Sequence, residues 1–501
     1  MNIKEANDYL NKVLIKKAKL DHLKHIVNYD LETVCPTDGK LDESELLTYL
    51  SLKTFKLTSS KKYIKVINFL NDNLEKLDPL TKRLVYLLHK SYKIQKNLSS
   101  GFVNKMNSTF NKAGISWLKA KEQKSYELFR KDLEKIVKVE KEYIKLKSGN
   151  FKTNYDSLLD EYEENMNEEI LDQFFADCKK RIIPLLEAIN NSKVEIRTDF
   201  MNRKVPIYLQ ENYSKILMNT LGLNLNSSAI NTSEHPFTDQ IARNDTRITT
   251  HYFENNFISN IYSVIHETGH AIFAQNQDSK DFEKHLDNNM SLGMHESVSR
   301  FYENRIGRSE GFIKNIIYPD LLHYFPNIFD DISKDELYLA INKVTPSLIR
   351  TEADELTYTL HIIIRYEIEK DLVNKKVNIK NLNKLWNDKY YEYLKIRPTN
   401  DKEGILQDIH WTSGFGYFPT YALGNAFNSM YYKVLTKDID INKCYETRNL
   451  SAIREWLKQN VFKDANHFNS QEWITKITNA KFSADDFLTY LEEKYSKIYN
   501  L

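Results

Sequence analysis

The chain has 501 residues, 41% hydrophobic and 28% charged, a balance that suits a globular protein with a sizeable core and excludes a mainly disordered one. Lys and Arg number 71 against 69 Asp and Glu, and a net charge of +2 removes any electrostatic case for nucleic acid or an anionic membrane as the main partner. With 13 glycines and 10 prolines, the chain is expected to run in long helices with few tight turns.

Residues 1–20 are charged throughout and lack the apolar stretch and small-residue cleavage site of a secretory signal; no run approaches a membrane span. Cys35, Cys178 and Cys444 are isolated and odd in number, so neither a disulfide framework nor a cysteine metal site is expected, and a reducing compartment, the cytoplasm, is. Up to about residue 190 the pattern is amphipathic helix and reads as scaffold, with Ile170, Phe174, Cys178 and Ile182 one turn apart. Residues 131–147 carry an apolar stripe of Leu133, Ile136, Val137, Tyr143 and Ile144, broken only by Glu140, on a charged, solvated helix. In Tyr29-Asp30-Leu31-Glu32-Thr33-Val34-Cys35-Pro36 a helix stops before a proline and a turn.

Residues 191–255 change character: β-branched and aromatic residues fall in short runs such as Thr246-Arg247-Ile248-Thr249-Thr250, and a small sheet is predicted. An exposed edge strand there can hold an extended peptide through its main chain. From 256 to 501 the helical pattern resumes. Here Ile258, Ile261, Ile265, Ile272 and Phe273 recur at helical spacing around His266-Glu267-Thr268-Gly269-His270, an H-E-x-x-H pattern. On a helix the two histidines project from one face and reach one ion, and Glu267 beside them is placed to take a proton from water. Gly269 is disfavoured inside a helix, so close packing or substrate access is expected to require it.

A catalytic zinc site normally takes three protein ligands. Downstream, Gly293-Met294-His295-Glu296-Ser297-Val298-Ser299 reads as a second helix, on which Glu296 is the best third ligand, with His295 and Glu303 as rivals. Three further groupings stand out: Asp245-Thr246-Arg247-Ile248-Thr249, Ile349-Arg350-Thr351-Glu352-Ala353-Asp354 opening an apolar helix, and Gly404-Ile405-Leu406-Gln407-Asp408-Ile409-His410-Trp411 ahead of an aromatic loop holding Tyr417 and Tyr421. Each also has a plain structural explanation: a strand brace between Asp245 and Arg247, an i, i+4 ion pair of Arg350 with Asp354, and core packing of the loop.

In this order the motifs resemble the carboxypeptidase Taq family of metallocarboxypeptidases, most closely from Glu234-His235-Pro236-Phe237-Thr238 to about Gly424, while Asp30 to Pro36 resembles that family's Trp-Asp-x-x-Thr-x-Met-Pro stretch. The resemblance implies a mainly α, elongated single body (1–190 scaffold, 191–255 sheet region, 256–501 catalytic half) with a deep central groove and a small β-sheet beside the H-E-x-x-H helix. It implies one divalent metal per chain, zinc or cobalt, a homodimer, and removal of single residues from peptide C-termini. Carried over by position, His266, His270 and Glu296 become the metal ligands and Glu267 the general base. Arg350, with Arg247 as a second candidate, would hold the free C-terminal carboxylate, and His410, Tyr417 and Tyr421 would donate to the carboxylate or a developing oxyanion. The alternatives are an oligopeptidase or endopeptidase on the same fold and a non-catalytic peptide-binding homologue. One departure matters: where the family usually has glutamine after His-Glu-Ser or His-Glu-Gly, this chain has Val298, which cannot hydrogen-bond, so the support of Glu296 is expected to weaken.

Overall fold

A capping box between Asn2 and Glu5 starts the first helix, Ile3–Thr33, which ends just before Pro36 as expected. The structure is a computed structural model describing residues 1–147, 149–287, 289–374 and 377–501. It is mainly α, with long helices such as Lys40–Thr58, Ser100–Glu122, Glu127–Leu146 and Glu168–Asn191 ahead of one small sheet. Among the described residues no helix is long and apolar enough to cross a membrane.

Apolar packing divides into two cores. Ala6, Leu10, Val66, Ile67, Leu70 and Val85 of the first helices meet Leu286 in a small one. The large core runs from Ala113 to Tyr499 and takes in both the H-E-x-x-H helix and the helices behind it.

The sheet is narrower than the predicted region. Ile207–Leu221 is a helix, because Gln210, Tyr213, Ser214, Leu217 and Leu221 share a buried face at helical spacing that the aromatic content masks. Strands β1 (Ser228–Thr232), β2 (Thr238–Ala242) and β3 (Asp245–Thr250) lie in the order β1-β3-β2, with β1 parallel and β2 antiparallel to β3. Side chains alternate across it. Thr238 and Gln240 face the H-E-x-x-H helix, where they bond Glu267 and the Ala274 carbonyl, whereas Asp239 faces the first helix and meets His25 at 2.8 Å.

The H-E-x-x-H segment forms the helix Phe257–Gln275, with Phe257, Ile261, Ile265, Ile272 and Phe273 buried along it. Its partner, Leu292–Arg300, is capped by the Ser291 hydroxyl and continues as a π-helical segment, Phe301–Gly307. Buried Glu163 closes its N-terminus, accepting from Ser291 Oγ at 2.6 Å and the Gly293 N–H at 3.0 Å, where a helix dipole favours a carboxylate.

Candidate metal centre

Two glycines let three helices crowd together here. A Cβ on Gly269 would lie 2.8 Å from Ser299 Cα, and one on Gly424, in the helix Thr420–Asp438, would lie 2.8 Å from Glu296 Cγ. The helix carrying Glu296 is thus clasped from both sides, and close packing is what Gly269 serves. Glu296 Oε2 comes to 3.8 Å from His266 Nε2 and 3.6 Å from His270 Nε2. Among the described residues these three side chains form the group of potential ligands whose ligand atoms all lie within 4.8 Å of one another. Tetrahedral zinc with bonds of about 2.0–2.1 Å separates its ligand atoms by roughly 3.3–3.5 Å, so the donors fit a metal ion with small adjustments.

The rival ligands have a different place. Glu303 Oε2 lies 2.8 Å from His266 Nδ1 and His295 Nδ1 lies 2.6 Å from His270 Nδ1, so each occupies the nitrogen that faces away from the shared centre. Glu296 is supported despite Val298: Arg300 Nε donates to Oε1 at 2.9 Å, and Ser299 Oγ donates to Oε2 at 3.2 Å. Val298 points into the large core and is fully buried. Without an ion, burial disfavours an imidazolium at His266, but Glu296 and Glu303 outweigh it and lift its pKa to about 9. Burial likewise opposes ionised Glu303, yet Arg300 and His266 hold it down to about 2. His295, buried beside His270, falls to about 3 and stays neutral.

Glu267 is buried, and Thr238 of β2 donates to its Oε2 at 2.6 Å. Nothing in the local sequence near the H-E-x-x-H pattern points to this hydroxyl, 29 residues upstream.

A second group adjoins the first. Arg350 Nε donates to Asp408 Oδ2 at 2.7 Å and its Nη1 to the Tyr358 hydroxyl at 3.3 Å, and its guanidinium lies 4.8 Å from the Tyr421 ring. His410 Nδ1 bonds Asp408, its Nε2 meets the Tyr421 hydroxyl at 3.2 Å, and its ring stacks on Tyr417. Burial would raise the Asp408 carboxyl, but Arg350 and His410 hold it far below the usual carboxylate range. Gln407 fixes the backbone of this loop, accepting from the Arg350 N–H and donating to the Leu348 carbonyl. Arg300, which holds Glu296, packs 4.1 Å from the Tyr358 ring, so Arg300 and Tyr358 join the two groups.

One expectation fails. Residues 349–354 do not open a helix: Arg350–Glu352 is one 3-10 turn and the helix begins at Tyr358, while Asp354 accepts from the Thr357 N–H ahead of it and from the Thr345 N–H, leaving Arg350 to Asp408. Arg247 pairs with Asp245 at 2.8 Å over the Tyr29 ring, on the sheet face opposite Thr238, because neighbouring residues of a strand point to opposite sides.

A helical body with an H-E-x-x-H helix, a carboxylate on the helix packed against it and a basic, aromatic cluster alongside defines a metallopeptidase. The carboxypeptidase Taq (M32) metallopeptidase family matches residues 10–495, and the chain belongs to that family. It is 36% identical over 478 residues to Carboxypeptidase 1 of Bacillus subtilis, covering 95% of each chain. It is 32% identical to Thermostable carboxypeptidase 1 of Pyrococcus furiosus, covering 98% of this chain and 99% of the other. The crystal structure of an M32 carboxypeptidase from Deinococcus radiodurans R1 superposes with a TM-score of 0.95 at 26% identity, over 99% of this chain and 100% of that one.

Proposed function

We propose that this peptide hydrolase releases single residues from the free C-termini of peptides around one divalent ion, zinc first and cobalt second, held by His266, His270 and Glu296. Two imidazoles and a carboxylate with one open position are a familiar ligand set for catalytic zinc. When bound, such an ion supplies Lewis acidity and a water of lowered pKa. His270 donates its Nδ1–H to neutral His295 and His266 donates its own to Glu303, which leaves both Nε2 lone pairs free to ligate. Glu267, its Oε2 fixed by Thr238, takes the proton of the attacking water and passes it to the leaving amine.

Arg350 receives the substrate carboxylate through the guanidinium nitrogen left over by Asp408 and Tyr358. Tyr421 and His410, with Tyr417 stacked behind, donate to that carboxylate or to the developing oxyanion. The substrate main chain adds to the free edge of β2, whose Thr238 touches Glu267.

The observation that carries this reading is the bridge from Glu296 through Arg300 and Tyr358 to Arg350, which supports a carboxylate-binding role for Arg350 beside the proposed metal ligands. The test compares one peptide with a free and an amidated C-terminus. Loss of cleavage on amidation is expected; equal cleavage of both would establish an endopeptidase instead. Bound metal without hydrolysis on the same preparation would mark a non-catalytic binding protein.

We also assign the whole chain to one peptidase body, working as a homodimer in the cytoplasm. Exposed apolar side chains on the helix Lys40–Thr58, Leu46, Tyr49 and Leu52, support an interface between copies. The free thiols of Cys35, Cys178 and Cys444 agree with a reducing compartment. Sedimentation of the metal-loaded protein tests the dimer, and a monomer would remove it.

A further inference from the structure

A cavity of about 550 Å³ lies beside the π-helical segment Phe301–Gly307, and no candidate metal ligand lines it. Its wall carries five cations, Arg305, Arg308, Lys433, Lys494 and Lys497, against three acids, Glu310, Asp486 and Glu493. Asp486 is taken by Lys433 at 2.7 Å and Glu310 by Lys497 at 2.8 Å. Glu355, buried behind the wall, is taken by Lys494 at 2.5 Å and by the Tyr490 hydroxyl at 2.8 Å. Arg308 lies 3.6 Å from Glu303.

Arg305 has no carboxylate within ion-pair distance among the described residues. It is 8% exposed, and its buried Nε and Nη1 make no hydrogen bond. The rings of Tyr432 and Tyr490 pack 4.0 and 3.7 Å from its guanidinium carbon. These contacts offset part of the burial, but a ring face cannot accept the in-plane N–H bonds that a guanidinium must make. A buried cation without a counter-charge is strongly disfavoured, and an anion in the cavity that Arg305 lines would supply one. Burial, with Arg308 and Arg305 adding to it, pushes the Lys494 ammonium down to about 8 even though Glu355 opposes the change.

We infer that this cavity is an anion site, in which Arg305 at the floor and Lys433 and Lys497 at the exposed rim take a small oxyanion of the phosphate or carboxylate type. The hydroxyls of Thr436 and Thr489 on the same wall supply neutral donors of the kind such oxygens use.

The test is a titration of the metal-loaded full chain with inorganic phosphate at fixed ionic strength, followed by calorimetry and thermal unfolding. Saturable binding of about one phosphate per chain, with a rise in Tm that follows occupancy, is expected. Arg305→Gln should weaken binding roughly tenfold or more, in line with the loss of a charge-assisted bond. Because that variant can fail to fold, the pair Lys433→Ala with Lys497→Ala, both on exposed positions, is measured alongside and should weaken binding about threefold or more. Acetate at the same ionic strength should compete with phosphate in the wild type. Absence of saturable binding overturns the proposal, and so does an affinity unchanged in the rim variant. Phosphate held at the metal centre would survive both sets of changes and give that second outcome.

Discussion

Thr238 Oγ1 lies 2.6 Å from Glu267 Oε2, so the edge strand of the sheet and the H-E-x-x-H helix meet at the carboxylate proposed to move the proton. The hydroxyl fixes one oxygen and leaves the other for water. Thr238→Val keeps the shape and removes the donor; kcat should fall roughly tenfold with bound metal unchanged, as for other partners that orient a catalytic group. Glu267→Gln should also keep the metal but lose roughly 10²–10⁴-fold in kcat. Metal content and kcat on the same samples decide, and near wild-type turnover of Glu267→Gln would remove its assigned role.

Gly269 faces the backbone of the Glu296 helix, with Ser299 Cα 2.8 Å from where its Cβ would sit. Alanine gains about 1 kcal/mol over glycine in a helix interior. Overpacking against backbone that cannot turn aside costs roughly 1–3 kcal/mol, so the packing term wins. Gly269→Ala should therefore lower Tm and, by moving Glu296 away from the histidines, weaken metal affinity roughly 10–100-fold. Thermal unfolding and a competitive zinc titration measure both effects, and unchanged affinity would show that the clasp does not set the ligand geometry.

The parts of this site that were legible in the sequence are those set by helical spacing. His266, Glu267 and His270 are fixed relative to one another by one turn of helix, and the apolar residues around them carry the same period. What the sequence concealed depends on which element covers which face. Arg247 sits in a strand one residue from a side chain that faces the metal helix, and only the packing of the first helix on the other side shows where it points. Ser299 and Arg300 hold Glu296 although no motif marks them for that role. Glu140 read as a break in a solvated helix, yet it is buried, and burial with Glu161 and Glu369 nearby pushes its carboxyl up to about 8.

Metal uptake should release a proton. His266 in the metal-free protein titrates near 9, raised above its ordinary 6.5, and the ion needs the neutral ring. Because the folded value is raised, the proton adds stability below about pH 6.5 and that gain is lost as pH rises through 9, so zinc affinity should increase with pH up to about 9. Near pH 8, zinc added to weakly buffered protein should release close to one proton per ion, read with an indicator dye. Glu303→Gln removes one of the carboxylates that raise His266, so fewer protons should be released at that pH. Equal release from both proteins would exclude Glu303 as the cause.

Arg350 is held by Asp408 and Tyr358, and the proposal gives its remaining nitrogen to the substrate carboxylate. A hydrogen bond to a charged group contributes about 1.5–3 kcal/mol, so Arg350→Met should lower kcat/KM for a free C-terminus roughly 10–150-fold. The amidated peptide lacks the carboxylate, and its slow cleavage should change far less, so the preference between the two peptides collapses. Arg350→Lys keeps the charge but loses the planar fork and the bond geometry to Asp408, and it should restore only part of the preference. Asp408→Asn separates positioning from contact. It leaves Arg350 charged but untethered, which should raise KM for the free peptide while retaining some preference over the amide. If Arg350→Met slows both peptides by the same factor, the arginine supports the fold of the loop and the carboxylate is bound elsewhere.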